Sequence, residues 1–215
     1  MSTPVLRADA ERNRRQLVGA ARVVFAERGL DAPLDEIARR AGVGNATLYR
    51  RFPTRRDLVS AVFADAMREV VEAGERALTE PDPWTGLVGH LTFLCGLQAD
   101  DRAFADLLTM AVTGDLELRR LRERAFAIVN RLIDTAKAAG SLREDFRHED
   151  VVLILMACAG LIERTAPAAP TAWRRHLGYV LDGLRAPGHT PAAPSPGGRR
   201  VLNAMKKLAE NSGCG

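Results

Sequence analysis

Lysine is almost missing from this chain of 215 residues: 28 of its 31 basic side chains are arginine. That bias also follows from GC-rich coding, so the choice of arginine over lysine carries little functional weight. Cysteine is scarce too. Cys95, Cys158 and Cys214 are odd in number and widely scattered, which argues against a disulfide framework and against a zinc site. No run approaches the roughly eighteen apolar residues that would span a bilayer. The opening MSTPVLRADAERNRRQ lacks the apolar core of a signal peptide, so a cytoplasmic location is expected. Strand alternation and internal repeats are also lacking. G-x-S-x-G, H-E-x-x-H, G-x-x-x-x-G-K and paired-cysteine motifs are missing as well, which removes the enzyme classes that carry local signatures.

What is present is helical period and an uneven charge. Hydrophobic residues make up 47% of the chain, ordinary for a globular protein. The formal charge of +4 divides into +5 on residues 1–60 and −1 on the remainder. A basic N-terminal part on a near-neutral body is the electrostatic footprint of phosphate binding, although solvated surface arginines give the same count. The length suits one small and one larger domain. The expected division is 1–60, 61–186 and a Pro/Gly-rich tail, 187–215, that reads as disordered, with a short basic helix at 199–210.

The informative stretch is PLDEIARRAGVGNATLYRRFPTRR, from Pro33 to Arg56. Pro33 suits a first helical position, where its missing N–H costs nothing, and Asp35 and Glu36 complement the helix dipole. Gly42 sits where a helix ends on a left-handed residue, and Val43 beyond it is an apolar plug. A second helix from about Asn45 to Phe52 turns Leu48 and Phe52 inward. Asn45, Ala46, Thr47, Tyr49, Arg50 and Arg51 are left outside. Arginine grips guanine, asparagine reads adenine, threonine or alanine meets a thymine methyl, and tyrosine bonds a phosphate. Thr54 and Asp57 have the spacing of a capping box, which places Arg55 and Arg56 near backbone phosphates.

The segment AxxAGVGxATLYRRFPTRRDLV, preceded by AARVVFAERGLDA, resembles the DNA-binding domain of the TetR family of bacterial transcriptional repressors. That resemblance implies an all-α protein: a three-helix helix-turn-helix domain followed by a larger helical domain for effector binding and dimerisation. It implies contacts to double-stranded operator DNA from Gly44, Asn45, Ala46, Thr47, Tyr49, Arg50, Arg51 and Arg55. Gly44 and Arg51 depart from the family's usual residues, and they bear on which operator is read.

Elsewhere, residues 1–8 read as a loose arm and Asp9–Arg28 as a buttressing helix. Arg7, Arg12, Arg14 and Arg15 are placed either to reach phosphates or a minor groove, or to sit solvated. Thr54 to about Leu78 contains no proline and one glycine, so one long helix joins the reader to the second domain. Further helices fit from Trp84, at 101–112, from Asp115 to Ala139 with Leu118, Leu121, Phe126, Val129 and Leu132 inward, at 150–166 and at 171–184. The segment 150–166 is apolar on more than one side. Burial within one subunit accounts for that. The resemblance points instead to a homodimer through roughly residues 150–185, with Leu161 on the outer face. His148, Glu149 and Asp150 read as a helix start rather than metal ligands.

Polar residues on the apolar faces of the second domain are candidate contacts for a small-molecule effector: His90, Cys95, Thr109, Met110, Asn130 and Cys158, with Thr92, Gln98, Asp134 and Glu163 beside them. No metal or cofactor is expected. Two other functions fit the composition: an architectural DNA-binding protein without a sensor, and an all-helical enzyme without a local motif.

Overall fold

The computed structural model describes residues 4–100, 116–188 and 190–211. Its elements are α1 (Pro4–Arg28), α2 (Leu34–Arg40), α3 (Asn45–Arg51), α4 (Arg55–Ala77), α5 (Pro83–Asp100), α6 (Leu116–Ala138), α7 (His148–Thr165), α8 (Ala172–Leu184) and α9 (Gly198–Asn211). The chain is all-α, and among the described residues the one β feature is an isolated bridge between Leu142 and Arg185. The helix expected at 101–112 lies outside the described residues, as do Thr109 and Met110.

Two cores divide the molecule, and α4 belongs to both. In the first, Leu17, Ala21, Val24 and Phe25 of α1 meet Ile37 and Ala38 of α2, Leu48 of α3 and Phe52. Leu58, Ala61 and Val62 from the start of α4 complete it. The second begins one residue later. Phe63, Ala66, Met67 and Val70 of α4 pack with Leu87, Leu91 and Leu94 of α5, Ile128, Val129 and Leu132 of α6, Val151, Leu155 and Cys158 of α7, and Trp173 and Leu177 of α8. A domain of about sixty residues buries too little surface to be robust alone, so sharing a helix with a larger core adds stability. Arg22 on α1 reinforces the join with a two-pronged bond to Glu69 on α4, at 2.6 and 3.3 Å.

Local chemistry explains the joints. Gly42 has φ 68°, the left-handed conformation its position predicts. Val43 N–H then donates to Ala38 O at 3.0 Å and closes α2. Thr54 and Asp57 form a complete capping box at the start of α4. Gly74 has a packing role: a Cβ there would lie 2.5 Å from Ile128 Cγ2 and 3.1 Å from His90 Cε1. Glycine thus lets α4, α5 and α6 approach one another at a single point.

Four details differ from the sequence reading. Helix α1 starts at Pro4, because nothing between Pro4 and Asp9 breaks a helix and proline is tolerated at its first position. Phe126 is 54% exposed: the buried stripe of α6 runs through Leu118, Ile128, Val129, Leu132, Ile133 and Ala136, and Phe126 falls off it, 4.0 Å from the His148 ring. Leu161 is half-buried against the second core, whereas Leu153 is 41% exposed. The tail read as disordered is held to the body here. Arg143 Nη2 donates to Thr190 O at 2.9 Å, Ser195 Oγ donates to Glu149 Oε1 at 3.3 Å, and α9 packs on α7 with Val201 buried.

Candidate nucleic-acid interface and sensor core

Helix α3 is anchored from below and open above. Leu48 is fully buried and Phe52 nearly so, and together they fix the rotation of the helix. That rotation leaves Asn45, Ala46, Tyr49, Arg50 and Arg51 exposed and Thr47 half-buried, with Gly44 exposed at the N-cap. Tyr49 is 52% exposed, an expense in apolar contact that folding alone does not explain. No acidic residue lies on α3, so its outer face carries an amide, hydroxyls and positive charge but no negative charge. Beside it runs an open groove of about 710 Å³, lined in part by Arg14 of α1, Arg51 of α3 and Arg56 of α4, with Asp57 the one acid. The positive surface thus extends from α3 onto α1 and the start of α4.

Arg55 has a different placement from the one its position suggested. Its Nη1 donates to Leu30 O at 2.8 Å and to Ala32 O at 2.6 Å, clamping the loop after α1 to the start of α4. Those partners lie 25 and 23 residues back, so no local pattern signals them. Arg55→Ala is expected to lower the melting temperature, since charge-assisted bonds to carbonyls stabilise by about 1.5–3 kcal/mol, here about 2 given partial exposure. Differential scanning calorimetry of the variant checks this; an unchanged Tm would return Arg55 to the phosphate contacts.

In the second core the candidate residues separate. His90, Gln98, Cys95 and Cys158 are all buried to 2% exposure or less, Thr92 and Asn130 are half-buried, and Asp134 and Glu163 face solvent. Among the described residues, neither ring nitrogen of His90 and neither amide atom of Gln98 has a hydrogen-bond partner. Burial pushes His90 down to about 4, so the ring is neutral at physiological pH. Cys95 on α5 and Cys158 on α7 are free thiols that hydrogen-bond to each other; that bond and burial push Cys95 well above the usual thiol range. Sequence separation concealed that pairing. At the start of α7, Asp150 Oδ2 accepts from Arg147 N–H at 2.7 Å, so this carboxylate serves the helix terminus.

Comparison with known proteins agrees with this architecture. Residues 17–62 match the family described as bacterial regulatory proteins, tetR family. Residues 82–186 match the SbtR-like transcriptional regulator C-terminal domain. Among solved structures, the chain is similar to the TetR transcriptional regulator SCO0520 from Streptomyces coelicolor, with 34% identity, TM-score 0.58, and 80% of this chain and 98% of that one covered. It is also similar to the TetR transcription regulatory protein from Mycobacterium vanbaalenii, with 32% identity, TM-score 0.60, and 84% and 99% covered. The HTH-type transcriptional repressor LfrR from Mycolicibacterium smegmatis is 37% identical over 89 residues, 41% of this chain and 44% of that protein. The chain thus spans less than half the length of the curated relatives it matches. With both domains matched and a full-length structural relative above 30% identity, the chain belongs to the TetR family of bacterial transcriptional regulators.

Proposed function

We propose that the protein is a ligand-responsive repressor that binds two-fold symmetric operator DNA as a homodimer. The observation that supports this most directly is α3: a short helix whose exposed face holds Asn45, Tyr49, Arg50 and Arg51, with Thr47 half-buried beside them and no acid, locked in rotation by Leu48 and Phe52. Such a helix fits the major groove, where arginine and asparagine discriminate bases and tyrosine bonds a phosphate. Gly44 and Ala46 allow close approach of the helix start. Arg55 is left out of the proposed phosphate contacts because of its bonds to Leu30 and Ala32.

Repression rather than activation follows the name of the M. smegmatis relative. The dimer reading rests on exposed apolar side chains along α7 and α8, Leu153 and Tyr179 above all, within roughly residues 150–185. The domain reading remains 1–60 for DNA, 61–186 for effector and dimer, and 187–215 for the tail. Among the described residues no helix is long and apolar enough to cross a membrane. The lever is α4, whose side chains enter both cores. A small molecule in the second core shifts operator affinity only by its differential affinity for the two reader spacings, about 1–3 kcal/mol in typical cases.

Selection of bound sequences from a random duplex pool tests the reading. A two-fold symmetric site is expected, with half-sites one helical turn, about 34–36 Å, or a multiple apart. Enrichment of no sequence, or only of an unsymmetric one, would sink it.

A further inference from the structure

We propose that His90 and Gln98 form a two-point polar cradle for an elongated uncharged effector, with hydrogen-bonding groups at both ends of an apolar middle; this rests on the sensor reading of the second domain. His90, Leu94 and Gln98 recur every four residues along α5, so they share one face. The outer two lie about 12 Å apart at 1.5 Å per residue, with Leu94 between them.

Both polar side chains are at least 98% buried, at 2% and 1% exposure, and none of their four polar atoms has a hydrogen-bond partner among the described residues. Buried polar groups in folded proteins are nearly always paired, and an orphan costs stability. Two such orphans on one helix face destabilise the free protein, and a ligand offering matching groups relieves that cost. The neutral imidazole supplies one donor and one acceptor, and the glutamine amide supplies both. Hydroxyl and carbonyl groups complement this set.

Charge narrows the class further. Among the described residues of the second core the buried polar side chains are His90 and Gln98, with no buried carboxylate to neutralise an ammonium group and no buried arginine or lysine to neutralise a carboxylate. A desolvated ion of either sign without a partner is strongly disfavoured. His90 also provides the route to the reader. Its Cε1 and Nδ1 lie 3.1 and 3.6 Å from the position a Cβ would take on Gly74, so the ring rests against the α4 backbone. A shift of the ring therefore acts on the helix that also carries Leu58, Ala61 and Val62 in the DNA-binding core.

The experiment uses His90→Leu, Gln98→Leu and the double variant of the full chain. Each replacement removes orphaned polar atoms, so each is expected to raise the melting temperature, by about 2–4 °C. A fall in melting temperature would show that these groups are satisfied structurally, by buried water or by the rest of the chain, and would overturn the proposal. In a thermal-shift assay, the terminal diol of decane is expected to stabilise the wild type more than the terminal diol of hexane, which cannot reach both ends. The terminal diamine of decane and sebacic acid, charged at both ends, are expected to give no shift. The double variant is expected to lose the stabilising response. No shift with the decane diol, an equal shift with the diamine or sebacic acid, or a shift undiminished in the double variant each overturn the cradle. Operator anisotropy separates this from the sensor reading. Shifts that depend on His90 and Gln98 but leave operator affinity unchanged defeat the sensor and keep the cradle. Operator release by any screened metabolite that persists undiminished in the double variant keeps the sensor and defeats the cradle.

Discussion

Leu153→Glu is expected to yield monomers that have lost specific operator binding. Leu153 is 41% exposed on α7, and Tyr179, 62% exposed, presents a second large side chain on the adjoining α8. Apolar side chains of that size left in water are the residue of an unpartnered face, and a two-fold interface uses the same patch from both subunits. One glutamate on the patch therefore enters the interface twice, as like charges in a desolvated setting. A monomer presents one α3 to one half-site. Affinity is expected to fall from the specific range, about 10⁻⁸–10⁻¹¹ M, toward the non-specific range of about 10⁻⁴–10⁻⁶ M at physiological salt. Sedimentation velocity at micromolar concentration reads the association state and fluorescence anisotropy the affinity. A wild type that sediments as a monomer would end the dimer reading. A variant that remains dimeric would move the interface away from Leu153.

The second large effect belongs to α3. Tyr49→Ala/Arg51→Ala is expected to abolish discrimination between the operator and a scrambled duplex while leaving the melting temperature nearly unchanged. Both side chains are exposed, so truncation removes little packing. Arg51, if bidentate to a guanine, contributes about 1–3 kcal/mol per half-site, and a symmetric dimer loses it twice. Tyr49, proposed to bond a phosphate, would make a contact that is sequence-neutral. The two single variants therefore separate: Arg51→Ala relaxes base preference, whereas Tyr49→Ala weakens all duplexes alike. Unchanged operator affinity in the double variant would remove α3 from the DNA interface.

The contrast between these well-specified expectations and the vaguer sensor reading has a physical origin. The helix-turn-helix was legible because its determinants are local. Gly42 and Val43 close α2 on Arg39 and Ala38, five positions back at most, and Thr54 and Asp57 cap α4 within one turn. Leu48 and Phe52 orient α3 by spacing alone. The second core is assembled from distant pieces. Gly74, His90 and Ile128 meet at one point from three helices, and Cys95 finds Cys158 across the sequence. Helical period says that each residue faces inward, but not which residues meet or which polar atoms stay unpaired. Phe126 shows the same limit within one helix: its apolar nature suggested the core, and packing of Ile128 and Val129 turned it to the surface. Arg55 looked like a phosphate ligand because its composition and place allowed it, and its carbonyl partners come from the other side of the reader.

The boundary between the two cores falls inside a continuous helix, between Val62 and Phe63, and this makes the molecule a poor subject for recombination by parts. A graft of a foreign reader onto this body has one register in which both cores close. Adding a single residue at the boundary would advance the chain by only about 1.5 Å, but would rotate everything beyond it by about 100°. Leu58 and Val62 would then keep their places while Met67 and Val70 swung away from α5 and α6. Inheritance of the two halves as exchangeable cassettes is thus open only to crossovers that preserve residue count through α4, and the rotational phase of that helix, more than its length, is what lineage has to conserve.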